Sequence, residues 1–218
     1  IRDDASRYGQ DDLSRVRGGE IRRCIRNKQI RRRCGVRRIC GCDGPSGIRL
    51  YDFRTGELKK LLRSHTNVVY DLAFSADGRW LVSGSGDKTA KVWDVRNEFS
   101  LDRTLTGHTD KVYSVRVLPD GRVVSASLDN QVLLWDGNRI VARHRSQFRM
   151  DSLAINDLWI AATGNGKQLL IFDHDLNLER TIQSTTIPIS LAISPNGRWL
   201  LAGCASYPTT ATLFDSSN

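Results

Sequence analysis

His65 stands upstream of Ser83, Ser85 and Asp87, and His108 upstream of Ser125, Ser127 and Asp129. These are the residue types of a nucleophilic relay, in which a histidine activates a serine and a carboxylate orients the histidine. A relay is needed once, however, and here the set returns at matching offsets, which points to a structural role repeated along the chain. No glycine-rich phosphate loop, paired-histidine metal motif or nucleophile elbow accompanies it. No enzyme activity is therefore expected. Asp173-His174-Asp175 has ligand-like residue types, but it follows an extended segment at a place where solvated loops belong, so no metal is expected there. Cys24, Cys34, Cys40 and Cys42 crowd the first fifth of the chain with gaps of nine, five and one residues. Structural zinc wants tight cysteine pairs at two places, and a disulfide framework is no better supported with Cys204 left over. The residues call for no cofactor.

The charge is as uneven as the cysteines. Of a net +9, residues 1–43 supply thirteen bases against six acids, while the remaining residues are nearly balanced. A nucleic-acid face is accordingly not expected in the patterned part. Residues 1–43 read as a basic segment that is disordered or not a native product: arginines cluster around Arg22-Arg23 and Arg31-Arg32-Arg33 without periodicity or interleaved aromatics. A basic arm that docks on phosphates is a further reading of this stretch, and its affinity would fall steeply with salt. Overall composition, 39% hydrophobic and 26% charged, is that of a globular protein. No apolar run approaches the ~20 residues that cross a bilayer, so no membrane partner is expected. The chain opens on Ile1 and its one methionine is Met150, which reads as a fragment.

The elements that position these residues follow from a cadence. An aromatic followed by aspartate recurs as Tyr51-Asp52, Trp93-Asp94, Trp135-Asp136, Phe172-Asp173 and Phe214-Asp215, at intervals of 42, 42, 37 and 42 residues. Each pair ends an alternating extended segment, such as Ala90-Lys91-Val92 or Leu169-Leu170-Ile171. Turn signals precede the middle strands at Asp77-Gly78, Asp120-Gly121 and Asn196-Gly197, and second hairpins fall near Gly86-Asp87-Lys88 and Leu128-Asp129-Asn130. About four strands fit each unit, and no helix does. A unit of four short strands has two apolar faces and cannot bury both alone, so units must stack side by side. Radial stacking satisfies that need.

Ser64-His65 opens a unit closed by Trp93-Asp94, and Gly107-His108 opens one closed by Trp135-Asp136. With these two units and their degenerate companions, residues 44–218 resemble the WD-repeat β-propeller family, in units ending near 52, 94, 136, 173 and 215. The resemblance implies an all-β propeller fragment of about four blades and a partial one, each a four-stranded antiparallel sheet, in a family that closes with about six to eight. It also implies a buried hydrogen-bond chain per blade: His65, Ser83 or Ser85, Asp87 and Trp93 in one, and His108, Ser125 or Ser127, Asp129 and Trp135 in the next. Later units depart from the pattern. His144 sits two residues off the expected place, Thr163 and Cys204 occupy the serine region, and Phe172 and Phe214 replace tryptophan. Partner contacts in related propellers gather at positions matching Val68, Tyr70 and Gly86, then Lys111, Tyr113 and Leu128. The two tyrosines are either interface anchors or filler against the neighbouring blade. The function implied is a non-catalytic scaffold that binds other proteins or peptides, in a cytoplasmic setting. The alternative is the regulatory or sensor portion of a longer enzyme whose catalytic domain lies upstream.

Overall fold

A computed structural model describes residues 38–43, 47–204 and 211–215, with side chains from residue 47 onward. The described residues form strands and turns only, in five antiparallel sheets. The first sheet orders β1 (Arg38–Asp43), β2 (Gly47–Asp52) and β3 (Leu58–Arg63). The second holds β4 (Val69–Phe74), β5 (Trp80–Ser85), β6 (Thr89–Asp94) and β7 (Ser100–Thr106). The third holds β8 (Val112–Val117), β9 (Val123–Ser127), β10 (Gln131–Asp136) and β11 (Arg139–Arg145). In the fourth are β12 (Met150–Ile155), β13 (Ile160–Gly164), β14 (Gln168–Phe172) and β15 (Leu178–Gln183), and in the fifth β16 (Pro188–Ile193), β17 (Trp199–Cys204) and β18 (Ala211–Asp215). Every sheet is a meander in which sequence neighbours pair, and β4, β8, β12 and β16 lie side by side as the innermost strands.

β1 falls inside the stretch that charge alone sets apart as 1–43. It pairs with β2 from Arg38 opposite Asp52 to Asp43 opposite Gly47, so the sheet begins before residue 44 despite the poor alternation there. Main-chain pairing does not require an apolar face. Residues 1–37, with the arginine clusters, Cys24 and Cys34, lie outside the described residues.

The cadence has a local cause. In the second, third and fourth sheets the register between the third and fourth strands slips by one residue immediately before the aromatic, between Val92 and Trp93, Leu134 and Trp135, and Ile171 and Phe172. The same slip occurs at Tyr51 in the first sheet. The extra residue sits on the outer strand opposite the aromatic, at Asp102, Val141, Glu179 and Lys59, and bends that strand around it. The aspartate then closes the turn: Asp94 Oδ1 accepts the amides of Arg96 and Asn97, and Asp52 Oδ1 those of Arg54 and Thr55. The hairpins before the middle strands use Ser75 and Ser194, whose hydroxyls accept the amides of Trp80 and Trp199, with Gly78 and Gly197 at φ of 68° and 72° where a Cβ would be strained.

Between successive sheets lies one apolar layer each. Ile48, Leu50 and Leu62 meet Leu81 and Trp93; Val82 and Val92 meet Val112 and Val115; Leu134 and Val132 meet Leu153 and Phe172; Ala161 and Leu169 meet Leu200 and Ala202. The far side of the fifth sheet differs. Leu201 and Leu213, paired on β17 and β18, are 44% and 58% exposed, whereas Val82 and Val92, at matching positions of the second sheet, are fully buried.

Candidate functional site

The loops entering β4, β8, β12 and β16 share one end of the sheets with the second hairpins, because backbone bonds tie them together. Gly86 N–H donates to Val68 O, Leu128 N–H to Lys111 O and Ser184 N–H to Lys167 O. This end, the mouth, holds the histidine sets beneath its surface.

In the second sheet His65 Nδ1–H donates to Asp87 Oδ2 at 2.7 Å. The carboxylate can only accept, so Nδ1 carries the proton and Nε2 accepts from the Ser83 hydroxyl, also at 2.7 Å. Trp93 Nε1–H then donates to the same oxygen at 2.9 Å. The third sheet repeats the set: His108 to Asp129 at 2.9 Å, Ser125 to His108 at 2.8 Å and Trp135 to Ser125 at 2.8 Å. Ser83 and Ser125 therefore receive the indoles. Ser85 and Ser127 do different work, donating to Asn67 O and Asp110 O and so fastening the entry loop to the middle strand. Burial holds His65 below its ordinary pKa of 6.5, outweighing the opposing pull of Asp87. The Asp87 carboxyl lies below its usual range although burial opposes this, because Thr89 and His65 donate to it.

The fourth and fifth sheets lack this chain, and the register corrects which residues replace it. Leu153 and Leu191 face Ala162 and Ala202, as Leu72 and Val115 face Ser83 and Ser125. Thr163 and Cys204, counted from spacing, are one and two places further along. Thr163 Oγ–H donates to Gln168 O within its own hairpin. Phe172 is fully buried, and His144 packs edge-on against it at 4.8 Å. The ligand-like trio is spent on the turn: Asp173 Oδ1 accepts the amides of Asp175 and Asn177, His174 Nε2–H donates to Asn156 O, and Arg122 donates to Asp175.

A second bulge recurs near the start of each innermost strand. The pairing skips one residue between Val69 and Asp71, Val112 and Ser114, Met150 and Ser152, and Pro188 and Ser190. The skipped residues are Tyr70, Tyr113, Asp151 and Ile189, which makes these four equivalent. Tyr70 and Tyr113 stack with centroids 4.3 Å apart and planes 15° apart, and both stay half-buried. Each tyrosine thus packs on the neighbouring sheet and still reaches solvent. Burial and then Tyr70 push the Tyr113 hydroxyl up. Gly86 lies under this stack: a Cβ there would stand 2.9 Å from Asn67 Oδ1 and 3.2 Å from the Tyr70 ring. Val68, Lys111 and Leu128 are half-buried around it. Arg149 and Asp151 belong to the same mouth, with Arg149 Nε–H donating to Asp151 Oδ2 at 3.3 Å. Counting from a histidine misses them, since the fourth sheet has none at its entry and its entry loop is one residue shorter. The recurring bulge is the signal that finds them.

Below the stack, Asp71 Oδ2 accepts from Ser114 Oγ, Val115 N and Arg116 Nη1, and Ser114 Oγ accepts from Leu153 N. This chain ties β4, β8 and β12 into one rigid inner wall.

The family model described as "WD domain, G-beta repeat" matches residues 56–94 and 99–136. WD repeat and SOCS box-containing protein 1 of Takifugu rubripes is 41% identical over 91 residues, which are 41% of this chain and 21% of that protein. Its Homo sapiens namesake is 36% identical over 118 residues, 52% of this chain and 28% of that protein. Nuclear distribution protein PAC1 of Arthroderma otae is 37% identical over 102 residues, 42% and 22% of the two chains. The matched part thus spans between about a fifth and three-tenths of these relatives' length. Among solved structures, a chain of one described as "Crystal Structure of Mitotic Checkpoint Complex" superposes with a TM-score of 0.75 at 20% identity, over 83% of this chain and 59% of that one. No helix among the described residues is long and apolar enough to cross a membrane. The two complete histidine sets lie in the two segments that match the WD-repeat model, so residues 56–94 and 99–136 are WD repeats, and the described sheets have the fold of a WD-repeat β-propeller.

Proposed function

We propose that the mouth is a docking platform for other proteins, and that the chain assembles partners without transforming them. One observation carries this reading: Tyr70 and Tyr113, bulged out of two adjacent innermost strands, form a stacked aromatic ledge that stays half-exposed. Rigid aromatic side chains with a polar tip lose little entropy on binding and dominate interface energetics. The hydrogen-bonded sets beneath hold the loops around the ledge in place, which lowers the ordering cost of association.

A photo-crosslinking residue tests the platform. Placed at Thr109, exposed beside the ledge, it is expected to trap discrete partner proteins; at Asn138, exposed at the opposite end, it is expected to trap far less. Equal yields at both ends would refute the platform. The same trapped species should vanish in a Tyr70→Ala/Tyr113→Ala chain whose thermal midpoint stays close to that of the parent.

A further inference from the structure

The two ends of the sheets differ in charge. At the end opposite the mouth, aspartates of the turns dominate, among them Asp52, Asp94, Asp136 and Asp173. At the mouth, Lys88, Lys111 and Lys167 stand on three consecutive sheets around the tyrosine ledge, and no ion pair engages their ammonium groups among the described residues. The carboxylates there are already committed. Asp87 and Asp129 are buried against their histidines, with side chains 8% and 3% exposed. Asp110 accepts the amide of Lys111, and Asp151 accepts from Arg149. Burial also pushes the Asp151 carboxyl above its usual range. What remains for a visitor is an aromatic ledge flanked by three ammonium groups that no carboxylate contacts among the described residues.

We propose that the partner segment seated at the mouth is acidic: a stretch of glutamate or aspartate side chains that meet Lys88, Lys111 and Lys167 while apolar or aromatic neighbours cover Tyr70 and Tyr113. This rests on the docking reading above and names the chemistry of its partner. Charge complementarity of this kind steers encounter and fixes orientation. The ledge favours a peptide over a nucleic acid, because Tyr70 and Tyr113 spend their facing surfaces on each other at 4.3 Å and leave no slot for a base between them.

The test uses the whole 218-residue chain and a short fluorescein-labelled peptide of alternating glutamate and leucine, followed by anisotropy. Binding is expected, weakening as salt rises from about 50 to 200 mM. A Lys88→Glu/Lys111→Glu/Lys167→Glu chain is expected to bind at least about tenfold more weakly, with an unchanged thermal midpoint. The same charge change at Arg54, Arg96 and Arg139, exposed at the opposite end, is expected to leave binding within about twofold of the parent. That control matters because residues 1–43 also carry thirteen bases. No binding by the parent, equal loss in both variants, or tighter binding of oligouridine than of the peptide would each overturn the proposal. If crosslinking at Thr109 still traps a protein while the acidic peptide fails to bind, the platform stands and its acidic partner falls.

Discussion

Where the second and third sheets carry Ser83 and Ser125, the fourth and fifth carry Ala162 and Ala202, and the change does not come alone. Trp93 and Trp135 give way to Phe172 and Phe214, while Asp87 and Asp129 find no aspartate in the fourth sheet's hairpin at 165–167. Donor, acceptor and orienting carboxylate leave together. The physical reason is that a buried polar atom is tolerated only when its partner is present, so a half-kept set is worse than either a whole one or none. Two packing solutions therefore sit side by side on one backbone. One is polar and closed on itself; the other is hydrocarbon with an edge-on His144 ring against Phe172.

The comparison can be broken by moving single groups across it. Ser125→Ala strands the Trp135 indole and leaves His108 Nε2 without its donor, and should cost about 2–4 kcal/mol in a denaturant titration. The converse Ala162→Ser, which adds a hydroxyl where the indole is missing, should cost about 1–3 kcal/mol. If Ser125→Ala proved neutral, the closed set would be decoration. Restoring tolerance by adding Trp135→Phe to Ser125→Ala, so that the double variant is less destabilised than the sum of the singles, would sharpen the all-or-none account.

Acid should act on the same contrast. Because burial holds the folded His65 below 6.5, the unfolded chain binds the proton first as pH falls, so this contribution to stability is full above about pH 6.5 and is lost on acidification below it. The His144 ring, lowered by burial alone, acts in the same direction. The thermal midpoint should drop between about pH 7 and pH 5, and His65→Asn should flatten the profile. A midpoint that rises on acidification would contradict the neutral tautomer assigned here.

The smallest effect concerns the turn aspartates. Asp94→Ala removes the one oxygen that accepts two backbone amides and should cost about 1 kcal/mol, whereas Asp136→Ala, at an exposed position where Gly137 takes φ of 57°, should stay within about 0.5 kcal/mol. Equal losses would show that the motif acts through charge and not through turn geometry.

Much of the fold was legible because it repeats. The aromatic-aspartate interval locates the strands β2, β6, β10, β14 and β18, and the Asp-Gly and Asn-Gly turns locate the hairpins that precede β5, β9 and β17. What spacing could not separate was Ser83 from Ser85, since alternate residues of a strand point the same way and only the pairing, with Leu81 opposite Trp93 and Ser83 two places on, brings one of them within reach of the indole. The same ambiguity covers Cys204, which stands at the Ser85 position two places from Ala202, whereas Thr163 is one place from Ala162 and matches Gly84. Arg149 and Asp151 were illegible for a related reason: the fourth sheet gives no histidine to count from. Tyr70 and Tyr113 were singled out by offset, yet their stacking on each other required the neighbouring strands β4 and β8 in place.

The skipped residue in β4, β8, β12 and β16 has a wider meaning. Most other positions on β4, β8 and β12 answer to the apolar layer on one side or to the hydrogen-bonded inner wall, and a wrong choice there opens a void or strands a polar group. Tyrosine, tyrosine, aspartate and isoleucine occupy the exempt position in turn, with no shared size or polarity. Each sheet thus surrenders one letter of its alphabet to the outside world, and the vocabulary offered at the rim can be rewritten without disturbing the grammar of the interior.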